Sequence, residues 1–419
     1  MADLAALEAA RADAYARPLE TIDVARGELF QAGTHWPYFE RLRREDPVHY
    51  CPQSEFGPYW SITRFDDIIA VDSNHQVFSS EARYGGIAIH GYEGMEETMP
   101  MFIAMDPPRH DEQRKAVSPA VAPGNLSKLA PLIRERAVRC LDALPIGEPF
   151  DWVQRVSVEL TTQMLATLFD FPFEERSKLT RWSDVITSIP GHGVVETLEQ
   201  KTRELGECFA YFTGLWNSRV NAAPTGDLIS MLAHSPATRN MDRLEFYGNV
   251  VLLIVGGNDT TRNTMTGSVL AMHQNPDQRA KLDANPALLP GMVSETIRWQ
   301  SPVAHMRRTA LSDIDFQGKR IKAGDKVVMW YVSGNRDETA IADPDRYIID
   351  RPNPRRHVSF GFGIHRCVGN RLAELQLQIV WEEILKRFPV IEVVGDPVRN
   401  YHTIIHGYEA LPVVIPRRL

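Results

Sequence analysis

With 419 residues, 43% of them hydrophobic and 24% charged, the chain has the composition of a globular enzyme and the length of two ordinary domains or one large one. A net charge of −8 argues against nucleic acid as the main partner, because phosphate binding needs a basic face. The most apolar stretch, residues 249–257, falls far short of the roughly 20 residues that span a bilayer, and the first 16 residues lack a signal peptide's apolar core, so a cytoplasmic protein with no membrane anchor is expected.

In chain order, a β-like run at 48–63 comes first, followed by helix-compatible apolar spacing at 126–144 and 198–220. Residues 246–273 predict one long helix, strongly apolar in its first half and therefore central and buried. A β-like run at 314–332, a helix at 373–387 and a last β-like segment at 410–415 complete the pattern. Pro and Gly punctuation at 107–108, 190–193, 223–226 and 352–354 is too short to form flexible linkers. The expectation is a single domain over residues 1–419, mainly α with a small β-rich part.

Four cysteines, Cys51, Cys140, Cys208 and Cys367, are scattered with no CxxC companion, which speaks against zinc fingers and disulfide frameworks. The first three read as small buried hydrophobes. Cys367 differs because it stands in Phe360-Gly361-Phe362-Gly363-Ile364-His365-Arg366-Cys367-Val368-Gly369. Glycines let the backbone turn tightly enough to aim N–H groups at the sulfur, and a helix starting just beyond places its positive end nearby. Both favour a thiolate, where a free thiol would be mostly protonated at neutral pH.

This stretch resembles the haem-binding loop of the cytochrome P450 family in its Phe, two Gly, basic residue, Cys and Gly. The resemblance implies the P450 fold around a buried haem b, with Cys367 as the metal ligand and Phe360 and Gly369 beside the cofactor. A thiolate ligand pushes electron density onto iron and favours O–O cleavage. Asp106-Pro107-Pro108-Arg109-His110 with Arg114 resembles the family's helix crossing the haem edge, so that His110, Arg114, Arg308 and His365 would serve the two propionates. Glu295 and Arg298 share one helical face and match the family's structural Glu–Arg pair, with Arg346 as the implied second arginine.

Gly256-Gly257-Asn258-Asp259-Thr260-Thr261 interrupts the long helix with two glycines, each costing roughly 1 kcal/mol relative to alanine. Without a β-carbon the backbone can approach a flat cofactor, and Thr260 can bond back to the Gly256 carbonyl and open the helix slightly. Asp259 and Thr260 match the family's acid–alcohol pair, with implied catalytic roles: the alcohol orders a water and the acid relays protons. By alignment with the family, the substrate pocket draws on the loop 84–101, Leu252, Val255 and Gly256, Val303 and Met306, and Ile404 and Ile405. Many of these are aliphatic, which suits an apolar substrate held by burial.

Residues 56–60, 256–263 and 360–375 resemble the bacterial P450 branch that hydroxylates the terminal carbon of medium-chain alkanes. That branch implies electrons from NADH through an FAD-dependent reductase and a [2Fe-2S] ferredoxin, for which Arg109, Arg114, Lys115 and Arg366 would offer a basic docking patch. Hydroxylation of another apolar compound, such as a fatty acid, terpene or saturated heterocycle, remains an alternative. A haem sensor would keep Cys367 but would have no need of Asp259 and Thr260, and a peroxide-driven relative usually replaces that pair.

Overall fold

The 32-residue helix Arg243–Gln274 is the axis of the molecule. The computed structural model describes residues 4–90 and 99–419. The axial helix starts three residues earlier than its apolar pattern because Asp242 caps it, accepting the Glu245 N–H at 2.9 Å. Its C-terminal half packs with helices Pro123–Asp142, Leu289–Gln300 and Asn370–Leu385 around Trp152, Trp381 and Phe388. There the Trp381 indole N–H donates to Ser268 Oγ at 2.8 Å, so the ring brings no unpaired donor into the core.

The N-terminal half belongs to a second apolar cluster, with helices Glu159–Phe169, Ser177–Thr187, Leu198–Val220 and Leu228–His234 gathered around Phe169, Trp182 and Phe212. Helix Leu198–Val220 has the bounds its apolar spacing predicts. Residues Val153–Val158 wind as π-helix before Glu159–Phe169, a local widening that sequence periodicity does not announce.

The β-rich part is a five-stranded sheet in the order Val48–Cys51, Tyr59–Ile62, Lys326–Met329, Met306–Ala310, Phe78–Ser79. All its pairings are antiparallel except Tyr59–Ile62 with Lys326–Met329. The run at 48–63 resolves into a hairpin, and the run at 314–332 into three strands, the first two joined by Gln317 and Gly318 at positive φ. Met306–Ala310 is a strand that sequence alone did not indicate. It carries two arginines, yet Arg307 and Arg308 are each only 2% exposed. Among the described residues no helix is long and apolar enough to cross a membrane.

Candidate active site

Cys367 lies at the end of a loop whose turns are set from outside it. Gly361 and Gly363 have φ of +65° and +63°, a region side chains disfavour, and their missing β-carbons make room for another segment. A Cβ on Gly361 would sit 3.1 Å from an Asp72 carboxylate oxygen, and one on Gly363 2.6 Å from the Asp72 carbonyl oxygen. The loop glycines therefore serve its fit against helix Phe65–Ser73. The N–H groups that favour a thiolate come from the other side of the cysteine, at Gly369 and Asn370.

Burial raises the Cys367 thiol pKa, and the Gly369 N–H, Arg114, Arg366 and the Asn370 N–H oppose that rise. The side chain is nevertheless accessible to a solvent-sized probe. A thiol set deep among protein atoms feels low-dielectric surroundings more than its exposed area suggests. The Cys367 N–H donates to the carbonyl of half-buried Phe360 at 2.8 Å, closing the turn.

Helix Arg109–Val117 crosses beside this loop. Arg114 donates to the Arg366 carbonyl, and burial lowers its pKa while the nearby cysteine raises it. The rings of His110 and His365 meet at 4.3 Å between centroids. His110 Nδ1 is 2.7 Å from Asp111 Oδ1 and His365 Nε2 is 2.8 Å from Ser80 Oγ, while His110 Nε2 and His365 Nδ1 are buried with no hydrogen-bond partner. Burial holds both imidazole pKa values below the ordinary range. Arg308 lies close enough to His365 to help depress its pKa, its guanidinium bound to Asp72 Oδ1 at 2.7 Å and to the Arg307 carbonyl at 2.7 Å.

On the axial helix the two glycines divide their work. A Cβ on Gly257 would lie 2.7 Å from Cδ2 of Leu165, which is fully buried, so this glycine permits close helix packing. A Cβ on Gly256 would meet nothing within 4 Å. Leu252, Gly256 and Thr260 follow one another at spacings of four, and all three are partly accessible in a helix that is otherwise largely buried. The Thr260 hydroxyl donates to the Gly256 carbonyl at 3.2 Å, as its spacing predicts, within a segment that stays α-helical throughout.

Asp259 is fully buried, and burial pushes its pKa up to about 6. Ser183 Oγ donates to it at 3.1 Å, Asn258 Nδ2 at 3.3 Å, and Arg262 pairs with it at 2.8 Å. Arg262 also holds Asp184 at 2.7 Å, and Asp184 retains 27% side-chain exposure. A line of charges thus leads from the buried acid toward solvent. Sequence reading missed these partners because Ser183 and Asp184 lie 76 and 78 residues from the groups they touch.

The family-model comparison matches residues 218–406 to the cytochrome P450 model. Linalool 8-monooxygenase of Pseudomonas putida is 35% identical over 95% of this chain and 99% of its own. The chain belongs to the cytochrome P450 family. Among solved structures, cytochrome P450-153 from Novosphingobium aromaticivorans is 45% identical with a TM-score of 0.87, covering 94% of this chain and 98% of that one. CYP153D17 from a Sphingomonas species is 49% identical with a TM-score of 0.88, covering 94% and 99%. The resemblance to the P450-153 branch and the mainly helical P450 fold thus hold, and the protein is a monooxygenase by class.

The residues of this P450 fit the haem b that its family carries. The accessible Cys367 thiol offers sulfur, Gly256 leaves a flat face on the axial helix, the unpartnered His365 Nδ1 and Arg114 suit anionic propionates, and His110, whose Nδ1–H faces Asp111, joins them at Nε2 on taking up a second proton.

One expected position is corrected. The second arginine on Glu295 is Arg351, whose Nε lies 3.0 and 3.1 Å from the two carboxylate oxygens; Arg346 is exposed and supplies only its carbonyl, which Arg298 and Arg351 both use. The chain turns through Asp343 at positive φ, and the Arg346 side chain faces solvent. Arg298 itself pairs with Glu295 through two bonds of 2.8 Å, both residues being at most 1% exposed.

The expected pocket residues fall into two groups. Val303 bridges Ile405, and Met306 packs beside Val303 on the sheet-side cluster; Ile404 accepts the Ala304 N–H at 2.8 Å. Leu252 packs instead with Met101, Ala104, Ile87 and Phe209, while Val255, partly buried, follows it one turn on. Residues 91–98 of the expected pocket loop lie outside the described residues. His305 links two other segments: its Nδ1 meets the Thr403 carbonyl at 2.7 Å and its Nε2 accepts the Ile89 N–H at 3.3 Å. Burial pushes its pKa down to about 3.

Of the expected docking residues, Lys115 and Arg366 are exposed, Arg114 is half-buried, and Arg109 is paired with Glu245 at 2.6 Å.

Proposed function

We propose that this P450 inserts one oxygen atom from O2 into an unactivated C–H bond of a small apolar substrate, preferring the terminal carbon of a medium-chain alkane or a similar compound. The bound haem, held through Cys367, supplies oxygen activation and electron transfer. His110, Arg114, Arg308 and His365 hold its propionates, with Phe360 and Gly369 against its sulfur side.

The observation that carries this reading is the buried Asp259, with a pKa pushed up to about 6, next to an alcohol on the accessible row Leu252–Gly256–Thr260. An acid with that pKa is able to give and regain a proton near neutral pH. Asp259 passes protons inward, Arg262 and Asp184 connect it to solvent, and Thr260 orders a water at the Gly256 face. Leu252, Val255, Val303, Met306, Ile404 and Ile405 supply an aliphatic wall without a charged anchor, which suits a substrate held by burial alone.

Electrons come from NADH through an FAD-dependent reductase and a [2Fe-2S] ferredoxin, an acidic partner that Lys115 and Arg366 attract from the cysteine side. The protein is expected in the cytoplasm. The test is turnover with NADH, ferredoxin and reductase over alkanes of graded length, reading the position of the new hydroxyl. Primary alcohols as the main products are expected. Midchain or ring carbons preferred throughout would refute the terminal assignment, and a Cys367→Ala protein that kept the long-wavelength Soret band of the reduced carbon monoxide complex would refute the haem–sulfur bond.

A further inference from the structure

Asp72 is 2% exposed, lies in helix Phe65–Ser73, and is part of no expectation drawn from the sequence. A buried carboxylate is costly unless its lone pairs are filled. Here they are filled from three separate segments. Arg308 Nη2 donates to Oδ1 at 2.7 Å, the Tyr331 hydroxyl to Oδ2 at 3.0 Å, and the Phe362 N–H to Oδ2 at 2.7 Å. The third bond enters the cysteine loop five residues before the sulfur. The same loop presses Gly361 and Gly363 against Asp72, which explains why both positions need glycine.

We propose that Asp72 is a positioning residue of the haem site, a buried anion whose one oxygen aims Arg308 on the propionate side and whose other oxygen fixes the cysteine loop on the sulfur side. The inference rests on the haem reading given above. It joins two halves of the site that are 236 and 290 residues away from Asp72 in sequence. It also sets the charge that Arg308 presents: a guanidinium already paired with a carboxylate offers a propionate directional N–H bonds with little net positive charge.

The test uses holoprotein carrying Asp72→Asn, Arg308→Gln, or both. Asparagine keeps the shape and can still accept the Phe362 N–H through its one oxygen, while its amide nitrogen, a donor, faces Arg308, so the substitution removes both the charge and the acceptor of Arg308. Three quantities are read: far-ultraviolet circular dichroism, the reduction potential of the iron, and the rate of haem transfer to an excess of apomyoglobin. Asp72→Asn is expected to leave the dichroism unchanged, to raise the potential because an anion near the iron is lost, and to speed haem transfer about tenfold, the loss of one charged hydrogen bond. Arg308→Gln is expected to lower the potential, and the double variant to fall short of the sum of the two haem-transfer effects, since both cut the same ion pair.

If Asp72→Asn does not fold, Tyr331→Phe, which strips one hydrogen bond from Asp72 Oδ2 and leaves Arg308 and the cysteine loop unaltered in sequence, decides the matter through a faster haem transfer. Unchanged potential and haem transfer in whichever single variants fold, or strict additivity in the double variant, would overturn the inference. A wild-type protein without the long-wavelength carbon monoxide band would instead sink the haem reading itself, so the two failures are distinguishable.

Discussion

Replacing Asp259 by asparagine should change how stability depends on acidity, in a direction the structure fixes. In the folded protein the carboxyl titrates at about 6, against 3.8 for the free side chain. That is about two pH units, worth roughly 3 kcal/mol between the two protonation states. Because the folded pKa is the higher, the native state holds a proton that the unfolded chain has released between pH 4 and 6. Stability therefore falls as pH rises through that window and stays at the lower level above it. Asparagine cannot titrate, so Asp259→Asn should be pH-independent at this position. Its own offset, from leaving Arg262 with Asp184 alone, is constant across the window. Urea midpoints of wild-type and variant holoprotein, measured at half-unit steps from pH 4.5 to 8, give the difference directly. The variant should gain roughly 2–3 kcal/mol on wild type from the acid end to pH 8, most of it before pH 7. A flat difference would show that Asp259 is not an acid held neutral by burial, and the proton-relay role would fall with it.

Thr260→Ala should leave NADH and oxygen consumption largely in place while product per oxygen consumed falls at least tenfold, measured with an oxygen electrode beside product chromatography. Gly256→Ala should stabilise the chain by up to about 1 kcal/mol, since its Cβ meets nothing within 4 Å, yet weaken haem uptake in a titration. Gly257→Ala should change urea stability by less than about 1 kcal/mol, because the helix gain from alanine offsets the shift of the Leu165 side-chain end that its Cβ would meet at 2.7 Å. Around Glu295, thermal unfolding should separate the two arginines: Arg351→Ala loses about 1–3 kcal/mol and Arg346→Ala almost nothing, whereas Glu295→Ala, which strands buried Arg298, loses about 3–5 kcal/mol.

The parts of the site legible in the sequence are those whose residues stand close together along the chain. The cysteine loop, the acid–alcohol pair and the Glu295–Arg298 pair each fit within about three turns of backbone. Their partners were hidden. Asp72, Ser183 and Arg351 reach their targets across 290, 76 and 56 residues, and no local spacing encodes such distances. Arg346 misled because it occupies the expected motif position while its side chain faces solvent. The glycine doublet was legible as a cost to the helix, but only the fold shows that one glycine serves packing and the other the open face. Helices were readable where their periodicity was regular. The strand Met306–Ala310 escaped because two buried arginines mask its apolar signature.

His305 has a consequence for the enzyme at work. Both of its ring nitrogens are committed, one to Thr403 and one to Ile89, and burial pushes its pKa down to about 3. Mild acidification should therefore throttle turnover through the proton supply without reshaping the cavity that chooses which carbon is attacked. Yield should drift with medium acidity while the ratio of isomers stays put.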